Sequence, residues 1–269
     1  MRFFDTHTHL DYLAQDLNLS VSQLIHNAKA QQVERILVVA ISAKNFEQVA
    51  ACSQAEPNHI VYGLGLHPLY IAEHQTADLD LLESYLQRQD PHCTAITEIG
   101  LERAVEAVCT PELWHKQCAF LEAQLAFAKR YDLPVNLHSR KSHDQLFTFL
   151  KKAQLARTGV IHGFAGSYEQ AKRFVDLGYK IGVGGTISYQ RANKTRETMR
   201  KLPLESLLLE TDAPDMPVFG YQGEPNRPER LNVSFNALYE LRRETPEQIA
   251  ETIWQTSERL FWLNKPFIK

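Results

Sequence analysis

The chain has 269 residues, of which 44% are hydrophobic, and its 29 lysines and arginines oppose 32 aspartates and glutamates. The hydrophobic content excludes a disordered chain, and the net charge of −3 excludes a broad cationic surface that coats nucleic acid or anionic membrane. Any contact with nucleic acid must therefore be local.

The cysteines and the apolar segments predict a cytoplasmic protein. The four cysteines form no Cys-x-x-Cys pair, which favours reduced thiols over disulfides or a zinc-thiolate site. No signal-peptide core precedes Asp5, and the longest apolar run, 36–41, is far shorter than the roughly 20 residues of a membrane span.

Short β-branched segments alternate along the chain with longer segments of helical period, which indicates repeated βα units. Helical stripes are clear at 21–28 and 113–130, Ser142 and Ser167 stand at N-cap positions, and two helices are predicted at 228–242 and 245–263. The long segment 213–230 predicts a functional loop. Strands are predicted at 2–7, 35–40, 60–65, 94–99, 134–139, 159–164, 179–184 and 207–212.

Eight such units without a linker predict an α/β fold, a single (β/α)8 TIM barrel that uses residues 1–269 as one domain. An open doubly wound sheet is the alternative architecture. In a barrel, catalytic groups collect at the C-terminal mouth of the strands.

Candidate metal ligands stand at the ends of several predicted strands. The first strand ends in Asp5-Thr-His7-Thr-His9, where alternation places residues 5, 7 and 9 on one face. Later strands carry Glu98 at the end of the fourth, His138 near the end of the fifth, His162 in the sixth and Asp212 at the end of the eighth.

Four imidazoles and two carboxylates exceed the ligands of one catalytic zinc ion, so two divalent metal ions fit this set better. Such a pair makes a bridging hydroxide near neutral pH, which predicts hydrolysis of an ester, an amide or a phosphodiester. Asp212 can serve both as a ligand and as a general base. A helix cap is the alternative role for Asp212.

These residues lie in motifs by which the chain resembles the TatD metal-dependent hydrolases of the amidohydrolase-like barrels, most closely the YjjV-like branch. The resemblance covers essentially the whole chain. The motifs that carry it are Asp5-Thr-His-Thr-His-Leu-Asp11, Gly65-Leu-His67-Pro, Glu98-Ile-Gly-Leu101, Pro134-Val-Asn-Leu-His138-Ser-Arg140, Val160-Ile-His162-Gly-Phe164, Gly182-Val-Gly-Gly185 and Leu209-Glu-Thr-Asp212-Ala-Pro214.

The resemblance implies that His7, His9 and Asp212 hold one ion, that His138 and His162 hold the other, and that Glu98 bridges them. It also implies a metal-dependent deoxyribonuclease that removes nucleotides from a 3′ end. Imidazole ligands favour zinc, nickel, iron or manganese, whereas the resemblance implies magnesium, so the choice among Zn, Mn, Mg and Ni stays open.

The chain departs from the family pattern at two places. Glu102 follows Leu101 where the family usually has aspartate, and Thr97 precedes Glu98 where a small residue is expected. We expect neither to touch a metal ligand, although Glu102 could reshape the substrate side.

Further residues of the mouth are candidates for contacts with substrate. His67, fixed by Pro68, could donate a proton to a phosphate or leaving group, and is taken with Asp212 and Glu98 as catalytic; the alternative is a loop cap. Arg140 could bind phosphate, or form an ordinary salt bridge. Glu210 is predicted to support the ligands from one layer below, and a core salt bridge is the alternative. Basic and aromatic residues of the predicted loops are Lys141, Arg191, Lys194, Arg227, Tyr70, Tyr189, Phe219 and Tyr221.

The sequence is compatible with three functions. The first is a phosphodiesterase that acts on DNA ends, and the second is a binuclear amidohydrolase or acyl-ester hydrolase, for example an aminoacyl-tRNA deacylase. Glu98 favours the first, because many amidohydrolases use a modified lysine on that strand. The third is a non-catalytic barrel that only binds nucleic acid or a partner. The intact set of ligands argues against it, because buried carboxylates and imidazoles without a metal would destabilise the fold.

The predicted ions also refine the meaning of the net charge. The positive charge of the two ions exceeds the negative charge of Glu98 and Asp212, so the mouth is locally positive. It can then attract one phosphate without a basic surface. We therefore expect short, end-directed engagement of DNA, without an obligate protein partner.

Overall fold

The computed structural model describes residues 1–262, and in them eight parallel strands alternate with helices. The order of the strands in the sheet follows their order in the chain, from the first to the eighth. This order confirms the predicted TIM barrel. The strands are β1 (Phe3–Thr8), β2 (Val33–Val39), β3 (Ile60–Leu64), β4 (Cys93–Glu102), β5 (Val135–Arg140), β6 (Gly159–Ile161), β7 (Lys180–Val183) and β8 (Leu207–Leu209).

The segment that follows β8 brings the two ends of the sheet together. The amide of Asp212 donates to the carbonyl of His7 at 2.9 Å, and the amide of His9 donates to the carbonyl of Ala213 at 2.7 Å. These bonds nearly close the barrel, and they attach the candidate ligands of β1 to the segment that carries Asp212.

Ten α-helices lie within the described residues. The predicted loop 213–230 ends in a short 3-10 turn, Pro228–Arg230, and a π turn, Glu258–Trp262, follows the last α-helix. The predicted helix 245–263 includes Leu263, which lies outside the described residues. The helices are α1 (Leu10–Leu17), α2 (Val21–Ala30), α3 (Phe46–Ala55), α4 (Thr76–Gln87), α5 (Pro111–Arg130), α6 (His143–Ala153), α7 (Tyr168–Asp176), α8 (Asn193–Lys201), α9 (Leu231–Tyr239) and α10 (Pro246–Ser257).

The two serines expected at N-caps differ in what they bind. The hydroxyl of Ser167 accepts the amide of Gln170 in a capping box, which confirms its prediction. Ser142 precedes α6 as expected, but its hydroxyl donates to the carbonyl of Leu101 at 2.7 Å and makes no cap hydrogen bond. Ser142 therefore ties the start of α6 to the end of β4.

Apolar side chains fill the lower part of the barrel. One buried cluster takes residues from six different strands, which can meet only in the barrel interior, and adds Trp254 and Phe261 from the C-terminal segment. The mouth at the opposite end is left for polar groups. The strand members of the cluster are Phe4, Leu37, Val39, Val61, Ala95, Val160 and Leu208.

Within residues 1–262, no helix combines the length and the apolar character needed to cross a membrane.

Candidate metal centre

The structure brings all six predicted metal ligands together at the mouth, but three of them sit differently along the chain than predicted. Glu98 lies inside β4, which continues to Glu102 instead of ending at Glu98. The backbone of Glu98 has φ 57°, and the register of β4 with β5 shifts around it before the pairing resumes. His162 follows the end of β6, and Asp212 follows the end of β8 instead of lying in a strand.

The alternation expected for residues 5, 7 and 9 is also interrupted. The pairing of β1 with β2 shifts between Asp5 and Thr8. The carboxylate of Asp5 turns to the segment after β8, where it accepts hydrogen bonds from the amide and the hydroxyl of Thr211 at 2.9 and 2.5 Å. His7 and His9 reach the centre while Asp5 braces it.

Glu98 lies between two sets of imidazoles. Its Oε1 is 3.0 Å from His7 Nε2 and 3.1 Å from His9 Nε2, whereas its Oε2 is 3.2 Å from His162 Nε2 and 3.5 Å from His67 Nε2. Each oxygen thus faces its own set of nitrogen atoms. A carboxylate in this position can bridge two ions.

The same atoms form two overlapping groups that could each hold a cation. In each group, one ligand atom from every residue lies within 4.8 Å of the others, and Glu98 belongs to both. The first group contains His7, His9, Glu98 and Asp212, and the second contains His67, Glu98 and His138.

Hydrogen bonds to Nδ1 direct the Nε2 atoms of His7 and His9 into the centre. Asn136 donates its amide to the carbonyl of Thr6 at 3.0 Å, so its Oδ1 accepts from His7 Nδ1 at 2.9 Å. His9 Nδ1 donates to the carbonyl of Val39 at 3.2 Å. Nδ1 keeps its proton for this bond in each ring, so Nε2 is the atom that can bind a metal once its own proton is lost.

Several buried polar atoms of the centre fit a bound metal. Glu98 Oε2, His138 Nδ1 and both ring nitrogens of His162 are buried and make no hydrogen bond with the described residues. Leaving such an atom unsatisfied costs about 1–3 kcal/mol, so a group of them needs a compensating partner. Imidazole nitrogens and carboxylate oxygens around one space are suitable ligands for a divalent ion.

The charges of the centre reinforce one another. Burial alone would raise the pKa of Glu98, but the surrounding imidazoles of His67, His162 and His7 hold it well below its usual range. Burial opposes protonation of His9, yet hydrogen bonds to Asp212 and Glu98 raise its pKa to about 10. Asp212 is likewise held below its ordinary pKa by His7 and His9, against the effect of burial. Both carboxylates are therefore ionised at neutral pH.

The family assignment rests on a match that spans most of the chain. The model of the family described as TatD related DNase matches residues 4–262. The chain belongs to the TatD family. A metal-dependent hydrolase of Haemophilus influenzae is 59% identical over 261 residues, which cover 97% of this chain and 100% of that protein.

Two further TatD relatives connect the chain to a solved structure and to a named activity. The crystal structure of YjjV, a TatD homologue from Escherichia coli, is 46% identical, covers 97% of this chain and 98% of its own, and superposes with a TM-score of 0.90. The human deoxyribonuclease TATDN3 is 28% identical over 264 residues, or 96% of this chain and 93% of its own.

His67 caps a short turn, and its other ring nitrogen faces the centre. Its Nδ1 accepts the amide of Leu69 at 2.9 Å, which caps the short turn Pro68–Tyr70. The proton of the neutral ring must then lie on Nε2, the atom that faces Glu98. Burial and the neighbouring His138 lower the pKa of His67 well below its ordinary value. His67 is therefore a neutral hydrogen-bond donor through Nε2, although it also belongs to the second group of residues that could hold a cation.

The expectation that Glu102 touches no metal ligand is wrong. Its side chain is fully buried, and its Oε2 lies 3.1 Å from His138 Nε2 and 3.4 Å from Arg140 Nη1. Strand β4 continues past Glu98 beside β5, with Glu102 paired to Arg140, and this register brings the carboxylate to the ring. No contact of Thr97 with a candidate ligand is found within the described residues.

The sequence missed one supporting residue and correctly indicated another. Asn136 precedes His138 by two residues on β5, so the period of a strand was the available signal for its orientation of His7. Glu210 accepts the amide of Gly163 at 2.5 Å and thereby supports the segment just after His162. Burial raises the pKa of Glu210 to about 8.

A groove of about 600 Å³ leads away from the centre and has ligands and basic side chains in its walls. His138, His162 and Asp212 line it together with Arg140, Lys141 and Lys194. Of the other basic candidates, Arg191 lies 5.4 Å above the ring of Tyr189, and Arg227 is not among the groove residues. The candidate aromatic side chains stand outside this groove on nearby segments: Tyr70, Tyr189, Phe219 and Tyr221.

Proposed function

We propose that this protein is a metal-dependent hydrolase that cleaves phosphodiester bonds at DNA ends and releases nucleotides from the 3′ end. The observation that carries the proposal is the division of Glu98 between two sets of imidazoles, next to a groove with basic side chains. The deoxyribonuclease activity named for TATDN3, a relative that spans the barrel, supports the choice of substrate.

The ligands divide between two divalent ions. His7, His9 and Asp212 would hold one ion, His138 and His162 would hold the other, and Glu98 would bridge them. When bound, the ions activate a water for attack and neutralise the charge of the phosphate. The imidazole-rich donor set suits Zn, Mn or Ni. Mg²⁺ prefers oxygen ligands, of which Glu98 and Asp212 supply some, so it is tested as well.

The chain itself supplies the proton transfers. Asp212 has a side chain that is 15% exposed, compared with 2% for Glu98, so it can meet the attacking water and accept its proton. His67 holds a proton on Nε2 and donates a hydrogen bond to a phosphate oxygen or to the leaving oxygen. The two groups would face the reacting phosphate from the segments that follow β8 and β3.

The groove would hold the strand on one side of the reacting phosphate. Arg140 has a side chain that is 58% exposed, so its contact with Glu102 leaves much of the guanidinium free to bind phosphate. Phe219 and Tyr221 are 63% and 41% exposed and offer surfaces on which a base can stack. The chain as a whole is acidic, which favours short engagement at an end over tracking along a duplex.

Labelled oligonucleotides test the proposal directly. Single-stranded DNA carrying a label at the 3′ or the 5′ end is incubated with the protein and Mg²⁺, Mn²⁺, Zn²⁺ or Ni²⁺. We expect immediate release of the 3′ label and a stepwise ladder from the 5′-labelled strand. Hydrolysis of acyl esters or amides without DNA cleavage under any ion would overturn the proposal in favour of an amidohydrolase or a deacylase.

A pair of variants separates the centre from general effects of charge removal. Glu98→Gln should lower the rate by more than about 100-fold and reduce the bound metal, because it removes the bridging charge. Glu251→Gln is the control, since this exposed carboxylate pairs with Arg2 beside the start of β1, at the far end of the barrel. It should keep the wild-type rate.

A further inference from the structure

Glu102 is held rigidly at the end of β4. Its amide donates to Gln117 Oε1 at 2.9 Å, and its carbonyl accepts from Gln117 Nε2 at 3.2 Å. Its Oε1 accepts the amide of Ala104 at 2.5 Å. Gln117 thus holds the backbone of this strand end, whereas the bond from Ala104 orients the carboxylate and leaves Oε2 facing His138.

The second oxygen of this carboxylate, which also accepts from Arg140 Nη1 at 3.4 Å, engages one nitrogen of His138. Oε2 lies 3.1 Å from His138 Nε2, and a carboxylate oxygen ionised in this contact can only accept. The proton of the neutral ring therefore lies on Nε2, and the lone pair lies on Nδ1. That Nδ1 is buried and makes no hydrogen bond with the described residues.

His138 uses its two ring nitrogens in the opposite way to His7 and His9. Those two rings use Nδ1 for the supporting hydrogen bond and present Nε2 to the centre. His138 uses Nε2 for the supporting bond, while the ring remains part of the group formed with Glu98 and His67. The atom that remains available to a cation is Nδ1.

We propose that Glu102 is a positioning residue that holds His138 in the Nε2–H tautomer, so that His138 binds the second ion through Nδ1. The proposal rests on the proposed function only in assuming that the second ion is bound. Carboxylates that orient a ligating imidazole typically contribute about 10- to 100-fold to metal affinity. The side chain of Glu102 is long enough to reach both the amide of Ala104 and the ring of His138.

The tautomer can be read without metal and without substrate. Long-range ¹H–¹⁵N spectra of the chelator-treated, ¹⁵N-histidine-labelled protein distinguish Nε2–H from Nδ1–H rings, and the signal of His138 is identified by its loss in His138→Gln. We expect His138 as the Nε2–H tautomer in the wild type and a mixture of tautomers in Glu102→Ala. A wild-type ring with its proton on Nδ1 would overturn the proposal.

Titration with Zn²⁺ provides the second readout. Glu102→Ala should weaken the second binding event by about 10- to 100-fold and leave the first unchanged. Glu102→Gln keeps the size of the side chain and covers the case in which the alanine variant fails to fold. Its single carbonyl oxygen must serve either the amide of Ala104 or His138 Nε2–H, so it should show a weaker preference for the Nε2–H tautomer and a weaker second binding event than the wild type. Equal affinities for both ions in wild type and Glu102→Ala would refute the positioning role.

Gln117→Ala is the matched control. It loosens the same strand end but keeps the carboxylate, so it should lower stability without changing the tautomer of His138. Loss of the tautomer in this variant as severe as in Glu102→Ala would count against a specific role of the carboxylate. The tautomer does not depend on DNA cleavage. A protein that shows the expected spectrum but does not cleave DNA would therefore contradict the proposed function and leave the role of Glu102 intact.

Discussion

Glu98 and Asp212, the two carboxylates of the centre, share the same left-handed backbone conformation, with φ 57° in each. This conformation is uncommon outside glycine and asparagine and costs of order 1–3 kcal/mol. Both carboxylates meet the same ring atom, His7 Nε2, at 3.0 and 3.3 Å. The backbone strain is therefore located where two side chains must leave the regular alternation of a strand to reach one point.

The strain at Asp212 can be measured by comparing two substitutions that remove the same charge. Asparagine adopts the left-handed conformation readily, whereas a β-branched residue does not. We expect metal-free Asp212→Val to be less stable than metal-free Asp212→Asn by about 2 kcal/mol in urea unfolding. Because both variants lose the ion pair with His7 and His9, equal stabilities would mean that the backbone at this position is unstrained.

The space for Glu210 depends on a glycine of β7. A Cβ at Gly182 would lie 2.2 Å from Glu210 Oε2, and the buried carboxylate is held by the amide of Gly163. Gly182→Ala should therefore destabilise the protein by about 1–3 kcal/mol and reduce activity by displacing the segment after His162. Thermal unfolding and the rate of hydrolysis measure the two effects.

Gly184→Ala is the control for that substitution. The nearest atom to a Cβ at Gly184 is Glu210 Oε1 at 3.4 Å, an ordinary contact, and its φ of −97° suits any residue. This variant should stay within about 0.5 kcal/mol of the wild type. A loss as large as that of Gly182→Ala would show that flexibility of β7, and not the space for Glu210, is what matters.

His143 gives the stability of the protein a dependence on acid pH. Burial and the nearby Lys194 lower the pKa of His143 to about 4, and its ring stacks on Phe164 and lies 2.7 Å from Ser139 Oγ. The unfolded chain binds a proton near pH 6.5, before the folded one does, so the contribution of the neutral ring is complete above pH 6.5. It is lost as the pH falls toward 4.

The expected loss between pH 6.5 and 4 is about 2 kcal/mol in the free energy of unfolding, after allowance for partial solvent screening. Chemical denaturation at a series of pH values should show a steeper decline in the wild type than in His143→Gln, which keeps a polar side chain but does not titrate. Parallel curves for the two proteins would exclude His143 as the source.

The sequence could predict the barrel and bring six candidate metal ligands to one place because both depend on local pattern. Strand ends, helical period and residue type place His7, His138 and the others at one mouth without any knowledge of side-chain contacts. The end of β4 could not be predicted in this way. The positive φ of Glu98 interrupts the alternation, and the strand then continues to Glu102 with β5 as its partner.

The supporting residues were harder to predict than the ligands for a related reason. The contact of Glu102 with His138 follows from the register between β4 and β5, which a single sequence does not specify. Asn136 is similar, because it joins His7 to the carbonyl of Thr6 on another strand. Such roles depend on which atoms of neighbouring strands face each other, and the type of residue alone leaves that open.

Substrate binding in the groove should depend on two basic side chains that are not candidate metal ligands. Arg140 and Lys194 line the groove, and neither belongs to the groups that could hold a cation. Arg140→Gln and Lys194→Gln should each raise KM for an oligonucleotide several-fold with a smaller change in kcat, because a phosphate contact is lost in the ground state and transition state alike. Each should also reduce the slope of log affinity against log salt by about 0.7.

Lys152→Gln serves as the control for these two variants. Lys152 lies in the last turn of α6, exposed and paired with Glu122 at 2.9 Å, away from the groove that begins at the other end of the same helix. It removes the same charge and should leave KM and the salt slope unchanged. If all three variants weaken binding equally, the attraction arises from the net charge of the surface, and the groove has no specific part in holding the strand.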